Sequence, residues 1–297
     1  MIRSQEIQSS LSRTLDKSKS LIQLLKLKLS MLVALSAMFG YAMAAGSSFQ
    51  WMSLVYMGIG GLMITGASNA LNQIFEKEHD LKMKRTASRP MPEERLSNNE
   101  ALFFAIAVAI AGLTLLGWHF NLAATLLGVI GLISYAFVYT PMKQVSPFSV
   151  FVGAIPGSLP PLIGWVAVTG AIDTGGMILF AFQFFWQFPH FWAIAWRLDE
   201  DYQRAGFKML PTSSGRSKSS ARLILLYTLC LIPLAYFPWH EGLVQGWAAI
   251  LLGVLGAAFA IPAIGLFRTL GQDHAKRLMF TSFLYLPAIQ IVFLLGN

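Results

Sequence analysis

The sequence predicts an all-α, polytopic membrane protein: nine transmembrane helices in a single bundle, N-terminus in the cytoplasm and C-terminus outside. Three observations predict it. Hydrophobic residues make up 55% of the 297 and charged residues only 12%, and the mean hydropathy is +0.58, outside the balance of a soluble domain. Nine apolar runs reach the length of about 20 residues that a helix rising ~1.5 Å per residue needs to cross the hydrocarbon. The Lys and Arg residues all fall in segments that one orientation places on one side.

The runs lie near 21–46, 51–75, 100–118, 122–141, 148–168, 176–196, 222–239, 244–268 and 278–295, each rich in Leu, Ile, Ala, Gly and Phe. The first 20 residues form a polar N-terminal segment, with Arg3, Glu6, Arg13 and Asp16 and no apolar core of a cleavable signal. The rest, 21–297, is expected to form one domain. Gly153, Pro156, Pro160 and Pro161 in the fifth run would break a soluble helix, but neighbouring helices in a bundle satisfy the freed backbone groups. Small residues also permit close helix approach. Cys230, the single cysteine, lies in the seventh run, where packing is its expected role.

A cytoplasmic N-terminus puts Arg3 to Lys28, Lys77 to Arg95, Lys143, Arg197 to Arg222 and Arg268 to Arg277 on the same side. The opposite loops carry no Lys or Arg, only Asp173, Glu241, His119 and His240. The positive-inside rule then fixes N-in, C-out and an odd number of spans. The same distribution assigns the net charge of +8 to topology and not to nucleic acid.

Two cytoplasmic connections, about 76–99 and 197–221, are long and charged, and function concentrates in such loops. Asn72, Glu76 and Asp80 recur at i, i+4, i+8, which keeps them on one helical face. Hard oxygen donors of this kind suit Mg²⁺, which completes its shell from waters and substrate phosphates. Lys82, Lys84, Arg85 and Arg89 follow as donors to phosphate oxygens. Together they describe a diphosphate cradle, although helix-end acids with positive-inside flanking charges would look similar. In the second half His190, Arg197 and Asp201 fall at i, i+7, i+11 of a continued helix. His190 can also simply bond a neighbouring carbonyl. The aromatics around it, Phe184 to Trp196, are core or interfacial belt by default, with a minority available to stabilise a cation. No P-loop, HExxH, zinc-spaced CxxC or serine elbow is present.

The stretch "NQIFEKEHDLKMKRTASRPMP", Asn72 to Pro92, resembles the first diphosphate motif, Nxxx(D/E)xxxD followed by MxRTxxRP, of the intramembrane aromatic prenyltransferase (UbiA-type) superfamily. "FWQFPHFWAIAW" (Phe185 to Trp196), "DYQRAGFKMLP" (Asp201 to Pro211) and the region from Tyr139 to Trp165 are similar to its protohaem IX farnesyltransferase branch. The resemblance implies a nine-helix bundle with a cavity opening at the cytoplasmic end. It implies Mg²⁺ on Asn72, Glu76 and Asp80, with Asp201 holding a second ion, and farnesyl diphosphate and haem B as substrates in the lipid bilayer.

On that reading Lys84, Arg85, Arg89, Lys143, Arg197 and Lys208 bind diphosphate, and Tyr139, Trp186, His190 and Tyr202 line the haem or prenyl site. Asn72, Asp80, Arg85, Lys143, His190 and Asp201 carry catalysis. Haem-processing or terminal-oxidase assembly proteins would be its partners, in a bacterial inner membrane or, alternatively, a mitochondrial one. Two departures stand out: Glu76 replaces a common aspartate, and Ala205 replaces the last Asp of a DxxxD motif, so Asp199 or Glu200 could substitute as metal ligand. A quinone-precursor prenyltransferase shares the diphosphate site. A transporter would need mid-membrane charges, whereas the polar residues here cluster at the cytoplasmic ends.

Overall fold

Each apolar run folds as a long helix, because in hydrocarbon a helix is the one open-chain structure that satisfies its own backbone. The computed structural model describes residues 16–297. Arg3, Glu6 and Arg13, part of the predicted polar segment, lie outside the described residues. The long helices are α1 (Leu27–Ala45), α2 (Trp51–Phe75), α3 (Asn98–His119), α4 (Leu122–Val145), α5 (Ser149–Thr169), α6 (Thr174–Arg197), α7 (Lys218–His240), α8 (Gly246–Thr269) and α9 (Gln272–Gly296), with no strand among the described residues.

Eight of them are long and apolar enough to cross a membrane. The exception is α6, which has 24 residues but carries Gln183, Gln187 and His190 among its aromatics. The glutamines have a structural cause in α5. Pro161 has no N–H, so the carbonyl of Gly157 loses its helical donor, and Gln183 Nε2 donates to that carbonyl at 3.1 Å. Gln187 Nε2 reaches Ser158 Oγ at 2.7 Å and the Ala154 carbonyl at 3.2 Å. The proline-rich helix is thus completed by polar side chains of its neighbour.

Helices α1 and α5 approach backbone to backbone. A Cβ on Gly40 would sit 1.9 Å from the Pro161 carbonyl oxygen, and one on Gly164 1.9 Å from that of Ala37. Apolar side chains face outward around the bundle: Phe103 and Leu284 are 74% exposed, while Asn69, Asn72, Gln73 and Gln187 are buried. This inverted distribution suits a lipid surround.

The first span is shorter than the run 21–46. Residues 16–24 form a separate helical segment, the chain turns at Lys26 in a left-handed conformation (φ 45°, ψ 54°), and α1 begins at Leu27. Lys17 pairs with Glu100, Arg95 donates to Ser20 Oγ (3.2 Å) and Gln23 Oε1 (2.9 Å), and Gln73 Nε2 donates to the Leu24 carbonyl at 2.8 Å. These bonds dock the segment on the ends of α2 and α3. Conversely α9 starts at Gln272, before the apolar run, because the polar Gln272 to Arg277 extend the helix beyond it.

Candidate active site

Helix α2 ends at Phe75, Glu76 follows with φ −98° and ψ 10°, and one turn, Lys77–Asp80, succeeds it. The helical bonding continues across the joint, with Glu76 N–H donating to Asn72 O (2.9 Å) and Asp80 N–H to Glu76 O (2.8 Å). Asn72, Glu76 and Asp80 therefore keep a common face, and all three are buried.

Each is held differently. Asp80 Oδ2 accepts from Arg89 at 2.7 Å, while Oδ1 is buried without a partner. The Thr86 hydroxyl donates to the Asp80 carbonyl at 2.8 Å, folding the basic segment back over the helix end. Glu76 Oε1 accepts from Lys143 Nζ at 2.8 Å, both side chains nearly enclosed. Removing one member of such a pair strands the other, at a cost of about 3–5 kcal/mol. Asn72 Nδ2 donates to Thr140 Oγ1 at 3.1 Å. Thr140 has already given its one hydroxyl proton to the Tyr135 carbonyl at 2.9 Å, so it can only accept, and the Asn72 carbonyl oxygen is turned away from it.

Thr140 and Lys143 are presented by a distortion in α4. Pro141 cannot donate to the carbonyl of Phe137, and the preceding turn, Ser134–Tyr139, widens so that Thr140 N–H bonds the Tyr135 carbonyl. Such bulges re-aim side chains, frequently at functional sites. Here Lys143 Nζ lies 4.5 Å from the Tyr139 ring centroid.

The second loop is stitched to the first. Lys208 N–H donates to the Lys143 carbonyl at 2.7 Å, His79 Nδ1 bonds the Ala205 carbonyl at 2.7 Å, and Arg85 approaches the Tyr202 hydroxyl at 3.5 Å. Ala205, where the resemblance expects an aspartate, is thereby packed against the first motif. Asp201 pairs with Arg204. Asp199 and Glu200 both lie near Arg216, at 3.7 and 3.6 Å, which is anchored on the Trp196 carbonyl at 2.7 Å.

Helix α6 ends at Arg197, Leu198 takes φ −102° and ψ 18°, and a turn begins at Asp199, but as at Glu76 the i to i−4 bonding continues across the joint, with Leu198 N–H donating to Ile194 O and Tyr202 N–H to Leu198 O, both at 3.0 Å. Arg197 rests on Met279 Sδ at 3.8 Å, and the Lys208 ammonium on the Val145 carbonyl at 3.2 Å. Lys84 and Arg85 are exposed. His190 and Trp186 stack at 4.7 Å between centroids, against α9.

The sequence reading missed Lys26. Its half-buried ammonium is pushed down to about 7, first by burial, then by the positive charges of Arg89 and Lys143, with Glu76 and Asp80 opposing. Its titration is therefore coupled to the charges of the site. A non-glycine residue held at positive φ costs free energy and marks a constrained position, yet nothing in a basic N-terminal flank distinguishes it from Lys28.

The chain is similar to known proteins over most of its length. Residues 33–286 match the UbiA prenyltransferase family. The chain is 46% identical over 278 residues to protoheme IX farnesyltransferase of Cytophaga hutchinsonii, spanning 93% of this chain and 96% of that one. It is 38% identical over 266 residues to the mitochondrial protoheme IX farnesyltransferase of Arabidopsis thaliana, covering 89% of this chain and 62% of the relative. Among solved structures, digeranylgeranylglyceryl phosphate synthase superposes with a TM-score of 0.78 at 20% identity over 94% of this chain and 98% of that one. A UbiA homolog from Archaeoglobus fulgidus bound to DMAPP and Mg²⁺ gives 0.70 at 15% identity over 92% and 99%. The fold, the motif after α2 and the extent of these matches make one assignment: the chain belongs to the UbiA prenyltransferase family.

Proposed function

We propose that the protein transfers the farnesyl group of farnesyl diphosphate to a vinyl group of protohaem IX, in a bacterial inner membrane with the site facing the cytoplasm. The observation that carries the diphosphate half is Asp80: a fully buried carboxylate with one oxygen on Arg89 and the other unpartnered, among Lys26, Glu76 and Lys143. The acceptor half rests on the protoheme IX farnesyltransferase relatives. The proposal includes nine spans with N-in, C-out topology, counting α6 as the span that the glutamines leave below the hydropathy of the rest. It also includes proteins that deliver haem or receive the product.

The donor set fits Mg²⁺. The unpartnered Asp80 oxygen, the Glu76 carboxylate and the Asn72 carbonyl are hard oxygen ligands of the type this ion takes, and they would hold it, with Asp201 as the second-site candidate from the other loop. Bound there, it supplies neutralisation of the charge that develops on the departing diphosphate. The Lys143, Arg89 and Arg85 donors act on the same charge, and fixed cations aimed at developing charge are the largest usual source of rate enhancement. The vinyl carbon attacks the allylic cation, water adds to the resulting carbocation and loses a proton, and a hydroxyethylfarnesyl side chain remains.

The test is incubation of the purified protein with haem B, farnesyl diphosphate and Mg²⁺, followed by mass spectrometry. A hydroxyethylfarnesyl adduct that EDTA abolishes supports the reading. Prenylation of a quinone precursor instead would retain the diphosphate site and overturn the acceptor.

Lys26 adds a pH dependence. With its ammonium pushed down to about 7, it is charged below that pH and neutral above, and only the charged form attracts diphosphate. Wild-type kcat/KM for farnesyl diphosphate should fall as pH rises through 7. Lys26→Gln should lose roughly tenfold at pH 6, the scale of one charge-assisted hydrogen bond, and little at pH 9. Equal losses at both pH values would remove Lys26 from the site.

A further inference from the structure

The seam between α6 and α9 carries polar groups that the diphosphate chemistry does not use. Ser282 Oγ donates its one proton to the Met279 carbonyl at 2.6 Å, so towards His190 Nδ1, 2.8 Å away, it can only accept. Nδ1 thereby carries a proton, and in the neutral ring the lone pair is on Nε2. The orientation is locked as well. The Trp186 indole stacks on the imidazole with 20° between planes, and its Nε1 donates to the Ser282 carbonyl at 2.9 Å, so one residue of α9 fixes both rings. Nε2 makes no hydrogen bond to the described residues, and the His190 ring is half-buried beside the exposed Phe283, 5.2 Å between centroids.

An imidazole whose second nitrogen is held by a hydrogen bond, with its free lone pair among aromatic side chains, is the arrangement of a ligand to a borderline transition metal, not to a hard cation. A cation stands on the same helix face. Arg197 is seven residues on, roughly 10 Å along the axis, exposed at the end of α6, with only the weak acceptor Met279 Sδ against it at 3.8 Å. A lone-pair donor within the apolar layer and a guanidinium at its edge together match an amphipathic metalloporphyrin, iron at one and carboxylates at the other.

We infer that His190 Nε2 is an axial ligand to the iron of the porphyrin acceptor and that Arg197 receives its propionate carboxylates, which places the acceptor on the α6/α9 face. This rests on the proposed haem acceptor and moves Arg197 from the diphosphate to the porphyrin.

The experiment is titration of the full-length protein in lipid nanodiscs with ferric protohaem, without prenyl diphosphate, read by Soret absorbance and electron paramagnetic resonance. Wild type should give an imidazole-ligated spectrum. His190→Ala should lose it and regain it with added imidazole, and His190→Met, which keeps the side-chain bulk, should replace it with a thioether-ligated one. Arg197→Gln should keep the ligand signature while weakening haem affinity about tenfold, the scale of one charge-assisted carboxylate bond. Iron-free protoporphyrin should bind His190→Ala as it binds wild type.

An unchanged spectrum in both His190 variants overturns the inference even if the wild type farnesylates haem, in which case the proposed reaction stands. A wild type that neither binds nor prenylates haem, but prenylates a quinone precursor, overturns both.

Discussion

Asp80→Asn is expected to lower farnesyl transfer by about 10²–10³-fold, the loss typical of removing a group that stabilises transition-state charge, without changing the amount of protein in the membrane. The substitution is nearly isosteric, so the packing around a side chain of 0% exposure is kept. What it removes is one negative charge where Arg89 supplies the opposing one at 2.7 Å and where the second oxygen has no protein donor. Arg89 is about one-fifth exposed and keeps part of its hydration, so the variant should remain folded. Initial rates at saturating Mg²⁺, with folded protein quantified by size exclusion, decide the matter. Turnover within tenfold of wild type would remove Asp80 from the diphosphate site. Arg89→Met, combined with Asp80→Asn, should restore any lost stability and none of the activity.

The residues behind that prediction were legible because their signals are local. A spacing of four residues survives the break at Glu76, since the backbone bonds on either side remain helical, and the confinement of Lys and Arg to certain loops is a one-dimensional pattern. The failures are tertiary. The ammonium of Lys26 feels the charges of Arg89, Lys143, Glu76 and Asp80 from a left-handed turn that no glycine or asparagine announces. The departure at Ala205 was visible, but its consequence, a carbonyl bonded to His79, joins two loops 126 residues apart. The apolar run of α6 was recognised, whereas its glutamines acquire meaning only beside the prolines of α5.

Gly164→Leu is expected to cost more than ~3 kcal/mol, the upper end of overpacking penalties, and to leave little folded protein after detergent extraction. A Cβ at Gly164 meets the Ala37 carbonyl oxygen at 1.9 Å and the Tyr41 nitrogen at 2.5 Å. Both are backbone atoms, so no rotamer change can relieve the contact. Helix α5 cannot slide away freely, since Gln183 and Gln187 tie it to α6, and α1 faces it again at Gly40. Gly170→Leu is the control: with φ of 75° and nothing within 4 Å, it bears only the left-handed backbone penalty of about 1–2 kcal/mol. Thermal unfolding followed by size exclusion separates the two, and equal midpoints would show that α1 and α5 are not in close contact.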